Sequence, residues 1–228
     1  MIYVTGDLHG DMNRLRMIEK TLAEGDYLIV CGDFGFIYYD NEDEERTLDE
    51  IKSRGYTVCF IDGNHENFAK LNQYPREMWH GGRIHRIRKN VVHLMRGQVY
   101  EIGGSTFYTM GGAYSIDRAI RVKDVSYWEE ELPSNADYRE SGQNLRAAGM
   151  QVDYVLTHTA PQSVIRELGM KCRTGYAPDA HDAELTGHLE WIAIDVQYRQ
   201  WFFGHWHEDA EILGKFRAVY FDVICIGK

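Results

Sequence analysis

The first third of the chain alternates short apolar runs with amphipathic stretches. Ile2–Thr5, Tyr27–Cys31 and Tyr56–Ile61 are apolar almost throughout, the pattern of strands buried on both faces. Between the first two, Asp11 caps a predicted helix with Leu15, Ile18 and Leu22 on its apolar face, closed by Gly25. Asn41 caps a second predicted helix that carries Glu42, Asp43, Glu44 and Glu45 in its first turn, where the helix dipole favours anions, and Gly55 closes it. Strand, helix, strand, helix, strand predicts a βαβαβ unit with parallel strands and right-handed crossovers.

The later pattern is less regular. Val91–Ile102 and Ser105–Met110 flank Gly103-Gly104 as a predicted hairpin. From about 111 to 149 the sequence shows little periodicity and reads as a long loop or small cap, a candidate lid. Val152–Thr157 is another buried run, and Thr186–Tyr198 predicts a helix with Leu185, Leu189, Ile192 and Val196 along one side. Gln200–Phe203 and Phe216–Ile226 supply late strands. No repeat, low-complexity tract or linker divides the chain, so residues 1–228 are expected to form one α/β domain.

Charge and cysteine usage narrow the setting. The chain has 228 residues, with 25 Lys+Arg against 35 Asp+Glu, a formal net charge of −10. That balance weighs against a nucleic-acid backbone or an anionic membrane as partner. No apolar run approaches the ~18 residues of a membrane span, and the first residues lack a secretory signal pattern. Cys31, Cys59, Cys172 and Cys225 have no framework spacing, which points to a reducing, cytoplasmic setting. The basic stretch Arg83–Lys89 is read as a solvated strand edge or hairpin face, and His80, His85 and His93 as structural. Asp179 and His181 form an Asp-x-His pair in a predicted loop with no strand before it, and His181, Glu184 and His188 lie beside the apolar stripe of the late helix. Neither group is read as a metal site.

The chemistry-bearing residues fall elsewhere, after the apolar runs: Asp7 and His9, then Asp33, then Asn64 and His65, then His158, then His205 and His207. In open α/β sheets ligands bind at the carboxyl ends of strands. A mixed Asp/His/Asn donor set suits Mn²⁺, Fe, Zn²⁺ or Ni²⁺ better than Ca²⁺, and the groups are too many for one tetrahedral ion. An aspartate shared between two cations would use them all.

In this order, Gly6-Asp7-Leu8-His9-Gly10, Gly32-Asp33, Gly63-Asn64-His65-Glu66, His158 and Gly204-His205-Trp206-His207 resemble the calcineurin-like metallophosphoesterases. The resemblance implies two mixed β-sheets packed as a sandwich flanked by helices, with a dinuclear metal centre at the strand ends. It implies that Asp7, His9, Asp33 and His207 hold one metal ion, manganese taken first, and that Asp33 bridges to a second held by Asn64, His158 and His205. His65 would stand beside the substrate phosphate, near Asn64, as donor to the leaving oxygen. Cations about 3.5–4 Å apart lower the pKa of the attacking water and neutralise phosphoryl oxygens during in-line displacement. The implied activity is hydrolysis of a phosphate ester, mono- or diester, on a small molecule; a non-catalytic metal-binding scaffold is the alternative.

One departure matters. The protein Ser/Thr phosphatases of this superfamily continue Gly-Asp-x-Val-Asp-Arg-Gly, whereas this chain reads Gly32-Asp33-Phe34-Gly35-Phe36. The partner of His65 and the phosphate-clamping arginine are therefore missing from their usual place, which separates the chain from that branch and points to its bacterial-type relatives. Arg118 from the 111–149 segment is the first substitute as a clamp, and Arg121 the second.

Overall fold

The computed structural model describes residues 1–226. Its strands are, in chain order, β1 (Ile2–Thr5), β2 (Tyr27–Cys31), β3 (Thr57–Ile61), β4 (Arg76–Trp79), β5 (Gly82–Arg88), β6 (Val91–Leu94), β7 (Gln98–Ile102), β8 (Ser105–Met110), β9 (Tyr154–Thr157), β10 (Gln200–Phe203), β11 (Ala210–Ile212), β12 (Phe216–Ala218) and β13 (Ile224–Ile226). They form a seven-stranded sheet in the order β13-β1-β2-β3-β6-β5-β4 and a six-stranded sheet in the order β11-β12-β10-β9-β8-β7. In each sheet four neighbouring strands are parallel, β1-β2-β3-β6 and β12-β10-β9-β8, and antiparallel strands close both edges.

The layering follows from side-chain alternation. On the first sheet Leu28, Val30, Val58 and Phe60 point outward to Leu15 and Ile18 of helix α1 (Met12–Glu19) and Leu48 and Ile51 of helix α2 (Glu42–Lys52). Ile29, Cys59 and Ile61 alternate with them and point inward, meeting Phe107, Leu156 and Phe202 of the second sheet. That sheet's outer face, with Tyr108, Val155, Trp201 and Phe203, packs against three helices placed after the short turn α3 (Phe68–Leu71). They are α4 (Asn135–Ala147), α5 (Gln162–Cys172) and α6 (Ala183–Asp195). Two sheets with helices outside both is the predicted sandwich, and burial on both faces is why the strands are apolar throughout.

The structure revises three local readings. Val91–Ile102 is not one hairpin arm: the chain leaves the first sheet after β6 and enters the second at β7, and the hairpin across Gly103-Gly104 joins β7 to β8. Part of the supposed loop at 111–149 is helix α4, opened by a capping box in which Ser134 and Asp137 satisfy each other's backbone donors. Its buried face consists of Ser141, Gly142 and Leu145, so hydrophobic periodicity does not reveal it. Helix α5, which the apolar pattern also passes over, presents Val164, Ile165 and Leu168 to the core. Strand β5, which holds most of the basic stretch, lies between β4 and β6; Arg83, Arg86 and Arg88 pair with Glu140, Glu77, and Glu45 and Asp49.

Candidate metal centre

Asp7 and His9 follow β1, Asp33 follows β2, Asn64 and His65 follow β3, His158 follows β9, and His205 and His207 follow β10. All five strands end on one rim shared by the two sheets. The backbone there is bent: φ is +47° at Asp7, +50° at His9, +48° at Asp33, +68° at His205 and +52° at His207. A left-handed conformation costs a non-glycine residue about 1–3 kcal/mol and persists only where the surroundings enforce it. The enforcement is a mesh between loops. His9 N donates to the Asp33 carbonyl at 2.8 Å, His65 N to Asp33 Oδ1 at 2.8 Å, and His205 N to Asp7 Oδ1 at 2.9 Å. Two glycines permit the approach: a Cβ on Gly32 would stand 2.0 Å from His158 Nδ1, and one on Gly63 would stand 2.0 Å from Asp33 Oδ1.

The side chains meet. Nε2 of His158 and Nδ1 of His205 each lie 2.9 Å from Asn64 Oδ1, and His158 Nε2 lies 3.4 Å from Asp33 Oδ1. On the other side His9 Nε2 is 3.1 Å from His207 Nε2 and 3.7 Å from Asp33 Oδ2, and His207 Nε2 is 3.7 Å from Asp7 Oδ1. Two triads, Asp7/His9/His207 and Asp7/Asp33/His158, each offer ligand atoms within 4.8 Å of one another.

Their electrostatics follow from burial. Asp7 and Asp33 are both 1% exposed, and among the described residues neither carboxylate forms an ion pair with a lysine or arginine. Burial pushes the Asp7 carboxyl up, and the neighbouring Asp33 adds to the rise. Burial acts on Asp33 in the same direction, but the His158 ring beside it, with His65 and His9, holds it well below the carboxylate range. His158 is correspondingly raised to about 9; burial opposes that rise, and Asp33, Asp7 and the Cys31 carbonyl overcome it. Burial depresses His205 to about 3 and lowers His9, His65 and His207. Two desolvated carboxylates among mostly neutral imidazoles form a donor set that fits divalent cations.

Residues 1–209 match the calcineurin-like phosphoesterase family. The chain belongs to that family. No curated protein matches it closely enough to add a nearer relative.

In this calcineurin-like phosphoesterase the position after Asp33 serves the core. Phe34 stacks on Phe60 with ring centroids 4.3 Å apart and the planes at 12°. The partner of His65 comes instead from the segment after β8. Arg121 Nη2 lies 2.8 Å from His65 Nδ1 and 3.2 Å from Nε2, its Nη1 donates to the Ser126 carbonyl at 2.9 Å, and its Nε pairs with Asp117 at 2.7 Å. The Arg118 guanidinium lies over the Tyr127 ring at 4.4 Å and the Tyr114 ring at 5.6 Å. A cavity of about 340 Å³ opens beside His9 and His65, walled by Gly35, Tyr38, Tyr39, Arg121 and Ser126.

Several supports escape sequence reasoning. Arg14 of α1 donates to the Asp7 and Gly6 carbonyls at 2.7 Å each, and to that of Tyr220, tying the first loop to the late one. Tyr220 stacks on His207 at 4.5 Å. Glu66, buried and with its carboxyl pushed up by burial, accepts from Phe34 N at 2.9 Å and so fixes the loop that carries Asp33. Glu66 stands in the quoted motif, but nothing in the sequence separates its role from that of its neighbours. Ser115, in the irregular segment, accepts a hydrogen bond from Asn64 Nδ2 at 3.0 Å. Of the residues set aside, His181 stacks on Tyr114, and His85 and His93 join Asp62 in a buried chain.

Proposed function

We propose that the chain is a dinuclear metal-dependent hydrolase of small phosphate esters. The convergence of Asp7, His9, Asp33, Asn64, His158, His205 and His207 from five strand ends carries this reading. Asp7, His9, Asp33 and His207 would hold one divalent cation, and Asp33, Asn64, His158 and His205 would hold the other. Manganese is the first choice, with iron, zinc and nickel as competitors. Bound there, the pair would supply Lewis acidity toward the phosphoryl group and lower the pKa of the attacking water.

The chain's own residues do the rest. Asp33 is placed to be shared, since its Oδ1 lies on the His158 side and its Oδ2 on the His9 side. Arg121 takes the clamping role first considered for Arg118: it is 14% exposed, forked toward Asp117 and Ser126, and borders the cavity beside His65. His65 stands between Arg121 and the cluster, and the leaving oxygen takes a hydrogen bond from its imidazole as the phosphorus–oxygen bond breaks. Asn64 contributes a neutral oxygen and adds no charge to the cluster. The cavity suits a substrate of modest size. Four free thiols support a reducing, cytoplasmic compartment, and among the described residues no helix is long and apolar enough to cross a membrane. The segment 111–149 belongs to the same single domain, since it reaches His65 and Asn64 directly.

The test is a parallel assay of the metal-reconstituted protein on a phosphomonoester, a phosphodiester and a panel of nucleotides. Hydrolysis that Asp33→Ala abolishes without unfolding supports the reading. Full turnover by metal-free protein in chelator contradicts it, and a fully metallated protein inert toward every ester favours a non-catalytic scaffold.

A further inference from the structure

Asn64 brings one amide to the centre, and an amide can present either an oxygen or a nitrogen. Only the oxygen has a lone pair free for a cation; Nδ2 is a donor. His158 Nε2 and His205 Nδ1 lie 2.9 Å from Asn64 Oδ1, but a ring nitrogen that holds a cation has given up its proton and cannot donate to that oxygen. Once cations are held, the orientation of the amide must be set from its nitrogen side.

That side is built. Asn64 Nδ2 donates to Ser115 Oγ at 3.0 Å in a contact sealed from solvent, with Asn64 3% and Ser115 1% exposed. A hydroxyl oxygen accepting from an amide must send its own proton elsewhere. Glu131, 0% exposed, is a neighbour of Ser115 and of the Trp128 amide, and neither of its carboxylate oxygens has a partner within hydrogen-bonding geometry. A buried acceptor therefore stands where Ser115 needs one. A flipped Asn64 would set its NH₂ group against the ring nitrogens and draw the Ser115 proton to its own oxygen and away from Glu131, leaving buried polar atoms unsatisfied.

We propose that Ser115, backed by Glu131, is a positioning residue that holds the Asn64 carbonyl oxygen toward the second cation. The inference rests on the two-cation reading of the centre. It makes the segment after β8 part of the wall of the metal site at two points, Ser115 on Asn64 and Arg121 on His65.

The test is calorimetric titration of Mn²⁺ into the chelator-stripped full chain, with circular dichroism to verify folding. Wild type should bind two ions. Ser115→Ala should weaken the second by roughly 10–100-fold, the usual effect of losing a group that orients a metal ligand, and leave the first unchanged. Ser115→Thr, which keeps the acceptor, should restore it. In Asn64→Asp both terminal atoms are oxygens, so adding Ser115→Ala to that variant should cost little. Ser115→Cys, close in size and a poor acceptor, reads the same way should Ser115→Ala not fold. Equal binding by wild type and Ser115→Ala overturns the inference, as does an equal loss from Ser115→Ala in the wild-type and Asn64→Asp backgrounds. A wild type that binds fewer than two ions overturns the parent reading, whatever Ser115→Ala does.

Discussion

Nη2 of Arg121 lies 2.8 Å from Nδ1 of His65, although the two residues are separated by the whole of β4 to β8. The contact gives the chain a cationic partner for its candidate leaving-group histidine where the protein Ser/Thr phosphatase motif supplies an aspartate. Arg121→Ala should lower kcat/KM by about 10–100-fold, the equivalent of about 1.5–3 kcal/mol for a charge-assisted hydrogen bond. Arg118→Ala should stay within about 2-fold, since its guanidinium rests on Tyr127. Steady-state kinetics on one phosphomonoester compares them, and a larger loss in Arg118→Ala would reverse the assignment.

Gly63→Ala tests the close packing of the loops. The new Cβ would meet Asp33 Oδ1 at 2.0 Å and Asp33 N at 2.4 Å, so the β2 and β3 loops must separate. We expect a destabilisation of more than about 2 kcal/mol, of the size that overpacking at a buried contact produces. Denaturant melts in chelator measure it, and an unchanged midpoint would show that the loops move apart freely.

His85 governs part of the acid limb of stability. Burial, then His93 and Arg76, depresses its pKa to about 3, and the ring is 2% exposed. The unfolded chain protonates this residue near pH 6.5. The folded protein resists protonation until about pH 3, so this contribution is fully present above pH 6.5 and is lost as pH falls from there toward 3. His188, lowered to about 4 by burial, acts with the same sign. His85→Asn should flatten the loss by up to about 1.4 kcal/mol per pH unit within that window. Melts of both proteins from pH 7 to 4 in chelator give the slopes, and parallel slopes would contradict the assignment.

The sequence revealed the centre more fully than its support. Asp7, Asp33 and His158 were legible because each sits just past an apolar run, and the parallel order of β1, β2 and β3 follows from burial on both faces. Helix α4 was not legible, because it buries Ser141 and Gly142 where a pattern search expects leucines. Arg121 and Ser115 stayed obscure for another reason: their segment is irregular, and only tertiary contact separates them from neighbours such as Arg118. The left-handed backbone at Asp7, His9, Asp33, His205 and His207 is likewise a property of the assembled loops.

Removing or restoring metal should move stability as well as activity. Burial raises Asp7, and Asp33 and Asp7 raise His158, so both lean toward the protonated form from which a cation must displace protons. Mn²⁺ binding at pH 7 should therefore release protons, seen as a dependence of the calorimetric enthalpy on buffer ionisation, and should raise the melting temperature. An enthalpy that is the same in every buffer would contradict this account of the metal-free cluster.

The central claim is that one cluster of strand-end residues holds two cations. Anomalous diffraction from crystals grown with Mn²⁺ measures this directly. The account predicts two peaks about 3.5–4 Å apart, with Asp33 between them, His9 and His207 at one and Asn64, His158 and His205 at the other. A single peak, or peaks away from these side chains, would contradict it.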